Sequence, residues 1–111
     1  MLGGCAASPG PDTFASVDPA GRMHAAAVAD ANHDTSAVPM LVEMLSSDDP
    51  AERLVAIGVL EKLTGQRLGY SPTASSHSRK LAVERWYDWL RTNDLRPQVD
   101  PATVGGARLP R

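Results

Sequence analysis

Between residues 18 and 92, apolar side chains recur at the three- and four-residue intervals of amphipathic helices, and outside that span the pattern stops. Four helices are predicted. The first covers about 19–31 and is rich in alanine, which favours helix and permits close approach to a neighbour. Asn32-His33-Asp34 reads as a turn. The second helix is expected from Thr35 or Ser36, which leaves Pro39 in the first turn where its missing amide does least harm. Its inward stripe is Val38, Leu41, Val42 and Leu45. After a link at Ser46 to Asp48, the third helix is predicted over about 50–64, with Ala56, Ile57, Leu60 and Leu63 inward and Gly65 placed as a left-handed C-terminal cap. A longer connection, 65–75, contains Gly69, Tyr70 and Pro72. The fourth helix starts after Ser75 or Ser76, ends near Thr92 or Asn93, and turns Ala82, Val83, Trp86, Trp89 and Leu90 to one side. The expected fold is all-α: two tandem antiparallel helical hairpins, the first and second helices and then the third and fourth.

An internal repeat sharpens this outline. Asp18-Pro19-Ala20-Gly21-Arg22-Met23-His24-Ala25 aligns with Asp49-Pro50-Ala51-Glu52-Arg53-Leu54-Val55-Ala56 at an offset of 31, and Val28 matches Val59. A helical period near 30 is a solenoid signature. Each copy has a physical reason to begin a helix, because Asp at the N-cap accepts from free backbone amides and Pro is tolerated just inside. Glu52, three residues after Asp49, has the placing of a capping box. Solenoids usually need about three repeats to bury a continuous core. Two repeats imply either that the tryptophan-bearing fourth helix closes the stack or that self-association completes it.

The run from Asp34 through Ala37-Val38-Pro39 and Leu41 to Leu45, then Asp48-Asp49-Pro50 and Arg53 to Ala56, resembles the HEAT repeat, in particular the short variety also seen in phycobilisome-lyase-like proteins. Leu63-Thr64-Gly65-Gln66-Arg67-Leu68-Gly69-Tyr70, followed by Arg79, Ala82-Val83, Trp86 and Trp89, is similar to the ending of a group of bacterial HEAT-repeat-domain proteins. The resemblance spans roughly 18–92. It implies a stack of α-hairpins whose work is binding. It also implies a ladder in which a turn Asp pairs with an Arg one turn into the next helix, with Asp34, Arg22 and Arg53 as candidates here. An accessory role in lyase or isomerase chemistry would follow only from the scaffold, and scaffold does not carry function.

The flanks read differently. Residues 1–17 are rich in Gly, Pro, Ala and Ser and are expected to form a flexible leader, and 93–111, with Pro97, Pro101, Gly105, Gly106 and Pro110, a disordered tail. The single cysteine, Cys5, excludes an internal disulfide and a multi-cysteine zinc site. It stands in Leu2-Gly3-Gly4-Cys5-Ala6, which resembles the bacterial lipobox and makes Cys5 the candidate lipidation site. A lipoprotein signal needs a basic and an apolar segment before the box, and four residues cannot hold them. Either the start lies upstream of Met1 and the chain is lipid-anchored at a bacterial envelope, or the match is accidental and the chain is cytoplasmic. No stretch reaches the roughly 20 apolar residues of a membrane span.

Charge divides unevenly. Residues 1–60 hold two basic side chains, Arg22 and Arg53, against eight acidic ones, whereas 61–111 hold nine basic against five acidic, within a net of -2. The overall balance argues against a protein built around nucleic acid. The basic second half, with Arg79, Lys80, Arg85, Arg91 and Arg96 on or beside the fourth helix, keeps a nucleic-acid-associated module as the alternative, although Glu84 and Asp88 interrupt it. His24, His33 and His77 lack the close spacing of a metal motif, no serine sits in a nucleophile elbow, and no phosphate loop appears, so no cofactor, metal or catalytic set is expected. Asp48-Asp49 reads as link and helix cap rather than as an acid–base pair. The remaining feature is the concentration of Tyr70, Trp86 and Trp89 with Arg79 and Arg85. It is a candidate binding surface, with core packing the stronger reading of the aromatics. The functional expectation is a non-catalytic module that binds or scaffolds a protein partner.

Overall fold

The computed structural model describes residues 13–95, and these are all-helical, without strands. Helix α1 spans Pro19–Ala31, a 3-10 turn covers Thr35–Ala37, and α2 (Val38–Met44), α3 (Pro50–Thr64) and α4 (Ser76–Thr92) follow. The expected leader up to residue 12 and tail from residue 96 lie outside the described residues. Just beyond the span expected to fold, Phe14 and Leu95 pack against the core.

The helix starts follow from side-chain chemistry. Asp18 accepts from the Ala20 amide and Asp49 from the Ala51 and Glu52 amides, while Ser75 accepts from Ser78. These bonds satisfy donors that the first helical turn leaves without partners. Gly65 ends α3 at φ 75° with its amide on the Glu61 carbonyl at 2.8 Å, as a left-handed cap requires. The second helix departs from expectation. Its cap is Asp34, which accepts from Ser36, and the chain makes a 3-10 turn before α2 proper begins at Val38. Pro39 supplies no amide, so the tighter turn carries the chain into the helix with little loss of bonding.

The core gathers Leu41, Leu45, Ile57, Leu60, Trp86 and Leu90, all essentially inaccessible to solvent. Backbone contact is most extensive between α1 and α3 and between α2 and α3, with a lighter α2–α4 contact. The most extensive pairings therefore run between the two repeats and not within each expected hairpin. Side-chain size gives a reason: the residues that α1 buries are Gly21, Ala25, Ala26 and Ala29, and such a face lets the facing helix come near.

Candidate interaction surface

The repeat is deeper in the structure than in the aligned octapeptides. Two residues before each capping Asp stands a serine, Ser16 or Ser47, whose hydroxyl accepts from the Asp18 or Asp49 amide at 3.1 and 3.0 Å. Six residues after each serine an arginine returns to clasp it: Arg22 Nη1 donates to the Ser16 carbonyl at 2.6 Å, and Arg53 Nη1 to the Ser47 carbonyl at 2.9 Å. Ser-x-Asp-Pro-Ala-x-Arg is thus one hydrogen-bonded unit used twice. Extending the alignment two residues upstream would have shown the matched serines.

The two units are joined through a carboxylate. Arg22 forks onto Glu52, with Nε to Oε2 at 2.6 Å and Nη2 to Oε1 at 2.8 Å, and the Ser47 hydroxyl donates to the same Oε1 at 2.7 Å. The hydrogen bonds from Arg22 hold the Glu52 carboxyl below its usual pKa; burial opposes the shift, and Ser47 reinforces it. The Arg22 guanidinium is raised by the same hydrogen bond.

This arrangement corrects two expectations. The carboxylate that meets Arg22 is Glu52, not Asp34, which is occupied in capping; Arg53 finds no carboxylate and instead donates Nε to the Pro72 carbonyl at 3.3 Å. The capping box is half formed as well. Glu52 leaves the Asp49 amide to Ser47 and takes the guanidinium, because a bidentate charge-assisted pair outweighs one neutral amide.

The aromatic candidates go inward. Tyr70 is 3% exposed and Trp86 wholly buried, so neither belongs to an open surface. Tyr70 donates to the Leu45 carbonyl at 2.7 Å, and the Trp86 indole donates to the Arg67 carbonyl at 3.1 Å. Together they fasten the 65–75 connection over the core. Burial raises the Tyr70 hydroxyl pKa, against the opposing charges of Arg53 and Arg79. Trp89 is partly buried and meets Trp86 edge-to-face, with centroids 5.5 Å apart.

Arg85 is exposed and Arg79 half-buried, and each is anchored. Arg79 donates to the Ala74 carbonyl at 2.8 Å and Arg85 to Leu68 at 2.7 Å. Arg91 pairs with Asp88, Arg67 with Glu61 and Lys62 with Asp30, so part of the basic excess of the second half is already matched. His24, His33 and His77 are all exposed. Among the described residues no three His, Cys, Asp or Glu side chains are grouped to hold a metal. No described helix is long and apolar enough to cross a membrane. Cys5 lies outside the described residues.

Two open grooves adjoin at Ser46 and Asp48. One, of about 510 Å³, runs between the start of α1, α2 and the start of α3, over Phe14, Met40 and Met44, with Glu43, Asp48 and Asp49 at its edge. The other, of about 460 Å³, lies between the end of α2 and the first turns of α4, bordered by Arg79, Lys80, Val83 and Tyr87. No protein-family model matches the chain, and no curated protein or solved structure matches it significantly.

Proposed function

We propose that the chain is a two-repeat HEAT-like module that binds a protein partner without catalysing a reaction. The observation that carries the reading is the twice-used Ser-x-Asp-Pro-Ala-x-Arg unit, bolted together by Arg22 and Glu52. Repeated units of this kind make a rigid frame, and the polar groups most deeply placed in this one are occupied with each other. The extensive α1–α3 contact and the lighter α2–α4 contact are those that two stacked layers of helices would make. What is left for function is the outer surface: two grooves and several exposed apolar side chains, among them Val28, Met40, Leu54 and Leu81.

Attachment to a bacterial envelope through lipid on Cys5 belongs to the same proposal and stands on the sequence around that residue alone. It would display the module at a surface.

Photo-crosslinking in cells tests the binding role. A photoreactive residue placed in turn at Val28, Met40, Leu54 and Leu81 is expected to give one discrete protein adduct from at least one position. Adducts to nucleic acid, or none from all four, would refute it.

A further inference from the structure

The groove between α1, α2 and α3 differs from the rest of the surface in its charge. Among the described carboxylates, Asp30, Glu61 and Asp88 are in ion pairs. Asp18, Asp34 and Asp49 cap helix starts, and Glu52 is buried against Arg22. Glu43, Asp48 and Glu84 have none of these roles and are exposed; the first two border this groove, whereas Glu84 borders the neighbouring one beside Arg79 and Lys80. The lining cation of the first groove, Arg22, is already taken up by Glu52 and the Ser16 carbonyl.

The same groove is lined by apolar material. Phe14 is half-buried, Met44 almost wholly buried, and Met40 stands 39% exposed. Thioether side chains are flexible and polarisable, and they reshape around aliphatic groups of differing outline. A volume of about 510 Å³ suits a few side chains of an extended segment better than a whole helix face.

We propose that this groove docks a cationic peptide segment, in which lysine or arginine side chains flank an aliphatic one. The aliphatic group rests on Met40 and Met44, and the flanking cations face Glu43 and Asp48. This specifies the partner of the interaction module and rests on that reading. Because the carboxylates are open to water, the attraction is screened by salt and supplies orientation more than strength. The apolar contact distinguishes such a segment from any other cation.

The test titrates the full chain into a fluorescein-labelled heptapeptide of alternating lysine and leucine, with an all-lysine heptapeptide and an alternating glutamate–leucine heptapeptide as controls. The lysine–leucine peptide is expected to bind more tightly than either control. The Glu43→Gln/Asp48→Asn double variant should raise its Kd about fivefold, the scale of two solvent-exposed charge contacts. Met40→Ser should raise it as well. Circular dichroism should be unchanged in all variants, since none of the three side chains caps a helix or is part of an ion pair.

Equal binding of the all-lysine peptide, no binding of the lysine–leucine peptide, or indifference to both variants would overturn the proposal. So would a dimer of the chain alone, seen by light scattering and lost in the double variant, because a second copy would then occupy the groove. Crosslinking from Leu54 or Leu81, outside the groove, separates the two levels: adducts there with no peptide binding defeat the groove assignment only, whereas loss of every adduct defeats the interaction role itself.

Discussion

Glu52 is the residue on which most polar bonding converges. It is 1% exposed, and its two oxygens receive the Arg22 fork and the Ser47 hydroxyl. Such a buried carboxylate is tolerated only while its partners stay in place. Glu52→Gln keeps the shape but removes the charge, and is expected to cost about 2 kcal/mol at neutral pH, the scale of hydrogen bonds to a charged group. The pH dependence has a definite sign. The folded pKa of Glu52 is depressed, so its contribution is present above the ordinary carboxylate value, about 4.3, and is lost as pH falls through the folded value. Thermal melts of both proteins from pH 7 downward should show a Tm gap that is widest at neutral pH and narrows in acid. A gap independent of pH would mean that the charge of Glu52 is not what matters. Nothing local in the sequence announced this role, because Arg22 lies 30 residues away. At short range Glu52 reads as half of a capping box.

At the scale of elements, helix boundaries were legible because their causes are local. Asp18-Pro19, Asp49-Pro50, Ser75 and Gly65 each act within one turn, and α1, α3 and α4 begin, and α3 ends, where those residues predict. The 3-10 entry to α2 was not, since it depends on how Asp34 and Pro39 divide one turn of backbone bonding between them. The aromatic set was legible only in part. Trp86 and Trp89 meet as their spacing suggests, and Tyr70 joins the same core, but Tyr70 and Trp86 spend their polar atoms on the Leu45 and Arg67 carbonyls, contacts fixed by the path of the 65–75 connection. The small face of α1 makes its own prediction. Ala26 is wholly buried, and Ile57 stands at the matching place in α3. Ala26→Leu should force α1 from α3 and destabilise by about 1–3 kcal/mol, read as a lower urea midpoint. An unchanged midpoint would show that the helices are not in close packing there.

On the scale of the whole molecule, two hydrogen-bonded units form a frame whose most buried polar atoms bond to one another, with the grooves and unpaired carboxylates on the outside. The sequence located the frame through its repeat but mistook the bolt: the expected Asp–Arg ladder is replaced by Arg22 on Glu52, and Arg53 ends on the Pro72 carbonyl. The tension between two repeats and a continuous core is met in part by α4 and the 65–75 connection, which bring Trp86, Leu90 and Tyr70 into the same core. On the proposed reading, such a frame functions through what it holds. The most direct measurement is the native mass of the chain isolated from its own cells under mild crosslinking. The account predicts a complex of defined stoichiometry with a second protein, heavier than the protein alone. Recovery of the protein alone, without a second protein and with or without crosslinker, would contradict it.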